Sequence, residues 1–417
     1  MTRDGSAIGP LSVDLTDRIS LGVVADIVPR DLIEEVLNET GRRERRRRLL
    51  PAHVMVRFCQ AMCLFGDDDY EEVLRKLVGS LQSMDSWSDS WHVPSTSAIT
   101  QARQRLGPEP LRVLFERAAV PMAGYGTKGA WLRSRRLMSI DGFVVDIPDT
   151  PENDEEFGRP RSGPQAGAYP QVRVVGLGEC GSHAIVDAAI GGAQAGEPGL
   201  TERLLRCFEP DMLVMADRNF FGYPLWRKAV DTGADLLWRV KSHMKLGVAR
   251  ALPDGSYLSV VFRPALRDYH RKALIDAVRA GQAVHPAQAL VVRVIEYEVP
   301  DREGNGKQEI IRLITTILDP HDIPAVELAA AYHERWEYEG LVDEIKTHLR
   351  GPARVLRSKS PEMVEQEVWA FLLTHYCVRH LMCRAADEAD VDPDRLSFIR
   401  SLRIIRRQVT NQSDFSP

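Results

Sequence analysis

The sequence predicts an α+β protein, a mixed sheet flanked by helices with further helices before and after it. Three observations predict this. Up to about residue 130 apolar residues recur at helical spacing, from there short β-branched runs of strand length alternate with helical ones, and from residue 323 the helical spacing returns. The 417 residues, 44% hydrophobic and 27% charged, suffice for two or three domains with cores of their own.

Residues 1–130 read as a separate all-helical unit, from "VVADIVPRDLIEEVL", "LLPAHVMVRFCQAMCLF" and "YEEVLRKLVGSL". Its last part begins with the capping residues Ser95, Thr96 and Ser97, runs through Gln101, Arg103 and Arg105, and breaks at Gly107 and Pro108 before another helix. Read as a helix-turn-helix, Gln101, Arg103 and Arg105 would meet DNA. Read as a plain pair of packed helices, which the spacing alone favours, they would not.

Residues 131–245 carry the strand-length runs "RRLMSIDGFVVDIPDT", "QVRVVGLGE", "HAIVDAAIGG", "DMLVMADRNF" and "ADLLWRVKS", with helical segments at "GLTERLLRCFE" and "GYPLWRKAVDTG". Residues 246–319 add "SYLSVVFRP", "ALVVRVIEYEV" and "EIIRLITTIL", broken by the turn-like "PDGS" and "REGNGK", and read as a β-rich insertion. Residues 320–417 are expected to be helical, first over 323–349 and then through "PEMVEQEVWAFLLTHYCVRHLMCRAADEA".

Charge narrows the function classes. A net charge of −5 argues against coating nucleic acid by bulk positive charge. Local basic tracts exist nonetheless, at Arg42–Arg48, across Arg350, Arg354 and Arg357, and at Arg400, Arg403, Arg406 and Arg407, and together they favour a phosphate-binding role over three solvated faces. The six cysteines include no CxxC pair, which excludes a disulfide framework and predicts reduced, buried thiols. With no apolar run long enough for a signal peptide or a membrane span, a cytoplasmic location and no membrane partner are expected.

The stretch "YHERWEYEGLVDEIKTHLRG" holds the most chemistry. At ~100° per residue Tyr332, Arg335, Glu339 and Lys346 fall within about a sixth of a helix circumference, whereas Glu334, Glu337 and Glu344 point elsewhere. Glu339 is thus set between cations, either as part of an intrahelical salt-bridge network or as a working carboxylate. Two aspartates at or within apolar strands, Asp141 in "LMSIDGF" and Asp217 in "LVMADRNF", favour the second reading. Three hard oxygen ligands suit magnesium or manganese, and a pair of such ions activates a water or a 3′-hydroxyl for in-line displacement at a phosphodiester. Arg335 and Lys346 would then hold phosphate oxygens.

This set, in the spacing Y-x2-R-x3-E-x6-K, resembles the DDE triad and YREK signature of insertion-sequence transposases of the IS-four family. The likeness covers nearly the whole chain, with "LTDRISLGVVADIVPRDLIEEVL", "RRRRLLPAHVM" and "ARQRLGPEPLRVLFERA" similar to that family's N-terminal helical domain and "DIPDTPEN" and "ADRNFFGYPLW" to its catalytic core. The resemblance implies a ribonuclease-H-like core with a β-rich insertion before the catalytic helix, and cut-and-paste transposition of an insertion sequence. It further implies Asp141, Asp217 and Glu339 as ligands of two magnesium or manganese ions, and Tyr332, Arg335 and Lys346 as contacts to the DNA backbone. The partners it implies are double-stranded DNA with terminal inverted repeats, target DNA, and a second copy of the chain in the synaptic complex. Two alternatives stay open: a catalytically silent DNA-binding descendant, and a stand-alone metal-dependent nuclease. Phe143, on the strand face of Asp141, is expected to crowd the site, whereas Asn219, standing where the family often has glycine, tolerates the left-handed backbone. His375, Cys377, His380 and Cys383 spread around their helix and are not expected to bind zinc.

Overall fold

The computed structural model describes residues 24–44, 46, 48–82, 93–162, 165–299, 309–335, 337–350 and 355–410; at 78–82, 161–162, 165–166, 299, 309, 337–339 and 410 the description is of the backbone alone. Arg45, Arg47 and Arg354 of the basic tracts and the turn-like "REGNGK" lie outside it.

Six helices come first, α1 (Val24–Ile27), α2 (Arg30–Glu39), α3 (Ala52–Leu64), α4 (Tyr70–Gln82), α5 (Thr96–Leu106) and α6 (Glu109–Ala118). Ser95 caps α5 by accepting from the Ala98 N–H, and Gly107, at φ +69°, ends it in a conformation that side chains disfavour. These helices make up the expected all-helical stretch among the described residues. They pack against α13 (Pro361–Glu388), and one hydrophobic cluster runs from Val36, Phe58 and Phe115 through Phe371 of α13 to Met138 and Ile140 in the central sheet.

The sheet begins with β1 (Trp131–Leu132) and β2 (Arg135–Asp146). After α7 (Pro151–Phe157) and a small hairpin of β3 (Arg161–Ser162) and β4 (Gln165–Ala166) come β5 (Gln171–Glu179), β6 (Ala184–Gly192), α8 (Glu197–Leu204), β7 (Met212–Ala216), α9 (Tyr223–Val230) and β8 (Asp235–Arg239). In space the order is β6-β5-β2-β7-β8, with β5 and β6 antiparallel and β7 and β8 parallel to the preceding strand. The sheet then continues through β12 (Glu309–Thr315), β11 (Ala289–Val299), β10 (Tyr257–Phe262) and β9 (Arg250–Ala251), all antiparallel. The β-rich insertion is therefore the far half of the same sheet, and it holds a helix that the sequence reading missed, α10 (Asp268–Arg279).

Alternation along the strands sorts the two faces. Leu137, Leu213, Met215 and Leu237 pack with Leu328, Ala331 and Tyr332 of α11 (Ala325–Glu334). On the opposite face Trp238 meets Trp226 of α9 edge to face at 5.2 Å. The helix expected over 323–349 is divided: α11 is followed by α12 (Glu337–Asp343) and a six-residue π-helix, Glu344–Leu349. The chain closes with α14 (Phe398–Thr410). Among the described residues no helix is long and apolar enough to cross a membrane.

Candidate active site

The ladder between β2 and β7 ends at Ile140 opposite Ala216, so Asp141, inside β2, and Asp217, the residue after β7, follow at the carboxyl end of the parallel ladder. In open mixed sheets that edge is where ligands bind. Side chains cannot alternate otherwise: with Leu137 facing α11, Asp141 faces the same side.

Two oxygens of Asp141 are already engaged. Its Oδ1 accepts from the Gly142 N–H at 2.7 Å, and its Oδ2 lies 3.1 Å from Nη1 of Arg335. Burial raises the Asp141 pKa, the Gly142 N–H and the Arg335 charge oppose that rise, and Glu197 and Asp217 add to it. Asp217 is held more loosely. Arg239, the last residue of β8, brings Nη1 to 3.9 Å from its Oδ1, which is buried and accepts no hydrogen bond among the described residues. An acceptor-only oxygen left in that state costs free energy unless a donor or a cation meets it.

Tyr332 and Arg335 form the floor of this edge. The Tyr332 hydroxyl donates to the Ala216 carbonyl at 3.4 Å, and burial pushes its phenol well above the usual range. Arg335, only 5% exposed at its side chain, lies 5.7 Å over the Tyr332 ring as a cation–π partner. The expected backbone contacts to DNA are thus revised for these two residues, whose polar ends are turned inward to Ala216 and Asp141. Glu339 lies on α12, one helix beyond Arg335, and its side chain is outside the described atoms. Lys346 sits half-buried on the π-helix, where the wider pitch breaks the single stripe that an ideal helix predicts.

Phe143, on the strand face of Asp141, lines a pocket that Lys346 and Arg350 also line. It is buried with Val145 against Ile345, Leu356, Val368 and Phe371, beneath the π-helix. Asp146 accepts from Gln171 and Asp149 pairs with Arg159, so both serve the strand exit. Among the described residues no three His, Cys, Asp or Glu side chains gather as a ready metal site.

The DNA-facing set also changes. Arg103 is fully buried; its guanidinium donates to Gln366 Oε1 at 2.9 Å, Ser358 Oγ at 3.0 Å and the Tyr70 hydroxyl, tying α5 to α13 and removing it from any DNA surface. Arg105 pairs with Glu44 at 3.2 Å, and Gln101 is exposed. Arg357 donates to the carbonyls of Met62, Phe65, Gly66 and Asp68, neutralising the carboxyl end of α3. Arg400, Arg403 and Arg407 remain exposed along α14. Sequence reading overlooked Arg239; the signal for it was a cation closing the strand next to the one that Asp217 follows.

Residues 18–116 match the family model described as insertion element 4 transposase N-terminal, and residues 132–377 match that described as transposase DDE domain. One similar protein is the transposase InsG for insertion sequence element IS4 of Escherichia coli (strain K12), 28% identical over 411 residues, covering 96% of this chain and 85% of the relative. Another is the putative transposase InsZ of the same organism, 27% identical over 221 residues, covering 52% of this chain and 71% of the relative. Among solved structures, a cryo-EM structure of a piggyBac transposase synaptic complex with hairpin DNA superposes with a TM-score of 0.49 at 11% identity, covering 94% of this chain and 80% of that one.

Proposed function

This chain belongs to the transposase DDE domain family and is an insertion-sequence transposase, and from that premise we propose that it excises and reinserts its element by cutting the 3′ ends and transferring them to target DNA. The observation that supports the reading is that Asp141 and Asp217 each follow the last paired residues, Ile140 and Ala216, of the parallel β2–β7 ladder, close enough for the Asp217 charge to act on Asp141. Enzymes of this family act with divalent metal ions, and we assign Asp141, Asp217 and Glu339 as the residues that would hold two of them, magnesium or manganese. The buried Oδ1 of Asp217, which accepts no hydrogen bond among the described residues, fits a hard cation. Bound there, such ions would activate the attacking oxygen and stabilise the departing one.

The chain's own residues supply the rest. Arg335 orients Asp141 and favours its ionised form against the cost of burial. Arg239 offsets negative charge beside Asp217. Lys346, and on the surface Arg400, Arg403 and Arg407, are assigned to DNA phosphates. In cleavage a water oxygen attacks phosphorus and the 3′-oxygen leaves; in transfer that 3′-hydroxyl attacks a target phosphodiester, one P–O bond forming as another breaks. Double-stranded DNA with terminal inverted repeats is the assigned substrate, and synapsis of two ends calls for two copies of the chain.

Labelled DNA from the element's own flanks, incubated with the full chain with and without magnesium, tests this. End-specific, magnesium-dependent 3′ cleavage followed by joining is expected. Cutting without end preference or joining would favour a plain nuclease, and binding without any cutting a silent descendant.

A further inference from the structure

The active-site helix is short. Neither the seven residues of α12 nor the six of the π-helix could hold a helical state or a fixed direction alone, so their placement comes from tertiary contacts. Leu341, Ile345 and Leu349 supply a buried apolar face, but such contacts set a distance and leave rotation free. Glu344 supplies direction. It lies where the pitch widens, is only 12% exposed, and reaches α13. Arg379 Nε donates to its Oε2 at 2.9 Å while Arg379 Nη2 lies 2.8 Å from its Oε1, a grip on both carboxylate oxygens. His375 Nε2 is 3.0 Å from Oε2. A carboxylate only accepts, so that nitrogen donates, and Nδ1, buried with no partner among the described residues, is the bare one of a neutral ring.

A third element closes the clamp. His183, at φ +56° in the turn between β5 and β6, brings Nδ1 to 3.8 Å from Glu344 Oε1 and also meets Arg379. A Cβ added to Gly340, the residue after Glu339, would stand 3.8 Å from the His183 ring. Asp394 Oδ1 lies 3.1 Å from His183 Nε2, on the far side of that ring. The same turn is fixed by Gly181, at φ +76°, where a Cβ would fall 2.5 Å from the Lys128 carbonyl.

We propose that Glu344 is a positioning residue of the transposase reaction: gripped by Arg379 and His375 and backed by His183, it sets the rotation and height of α12 and the π-helix, and so of Glu339 and Lys346, over Asp141 and Asp217. The inference rests on the reading of Glu339 as the third acid.

The test uses the full chain, with Glu344→Ala and Glu344→Gln. In Glu344→Ala, amide exchange over residues 340–349 should accelerate roughly tenfold while that of β2 and β7 stays unchanged. Single-turnover end cleavage should slow roughly tenfold, and the magnesium concentration for half-maximal rate should rise several-fold. Affinity for end DNA without metal should stay within about twofold of wild type. Glu344→Gln, which keeps one carbonyl acceptor for Arg379, should recover part of both losses, and carries the same readouts if the alanine variant does not fold. Unchanged exchange, or an unchanged magnesium requirement in a folded variant, would overturn the proposal. If wild type itself never cuts, the reading of Glu339 fails, while the exchange arm still judges the clamp.

Discussion

The residues proposed to carry the chemistry take their direction from their backbones. Asp141 and Asp217 were legible in the sequence as acids in apolar strands, and both follow the end of the parallel β2–β7 ladder. Asp217→Asn keeps the shape but weakens the hard-oxygen donor set, so single-turnover cleavage should fall at least roughly a thousandfold while binding of end DNA changes little; retained cutting in a gel assay would remove Asp217 from the mechanism. Arg103 shows the limit of reading by type. An arginine in a helix that resembles a DNA reader is, by burial, a core tie between Tyr70, Ser358 and Gln366. Arg103→Ala should therefore cost roughly 2–5 kcal/mol in urea unfolding, whereas Gln101→Ala should stay within about 0.5 kcal/mol.

Elements decide what a helical wheel cannot. The wheel of residues 332–346 assumed one unbroken pitch, and the structure has α11, α12 and a π-helix, so Lys346 leaves the stripe and Glu344 turns from an incidental charge into a buried partner of α13. Local spacing could not reveal this, because Glu344 meets His375 and Arg379 only after the chain has folded back over about thirty residues. Burial alone would raise the Glu344 pKa, yet His183, His375 and Arg379 together hold it at about 2 against an ordinary 4.5. A depressed carboxylate contributes stability that is present above its unfolded pKa and is lost as pH falls through the folded one. The stability difference between wild type and Glu344→Gln should thus be full above about pH 4.5 and shrink toward about pH 2. At its largest it is on the order of 3 kcal/mol, readable from urea midpoints at a series of pH values. A difference that does not vary with pH would mean that the charge of Glu344 is not what α13 holds.

At the scale of the molecule, the order of helices and strands was legible from periodicity, while the joins between units were not. Apolar runs announce a strand but not its neighbour, so nothing in residues 246–319 told that β12 would pair with β8 and make the insertion part of one sheet. Likewise the largely buried α13 does not say that it serves both the N-terminal helices and the core. The exposed cations of α14 give a whole-molecule expectation: Arg400→Glu with Arg403→Glu should weaken DNA binding across sequences and lower the slope of log affinity against log salt by about 2, measured by fluorescence anisotropy. An unchanged slope would place the DNA elsewhere. A divalent metal is proposed at the carboxyl end of the parallel β2–β7 ladder, and local cleavage of the protein backbone tests this most directly. With iron(II) in place of magnesium, and ascorbate and peroxide added, radicals form at the bound ion and cut the chain beside it. The account predicts fragments ending near residues 141, 217 and 339 that vanish in Asp217→Asn; cuts clustered elsewhere, or the same pattern in that variant, would contradict it.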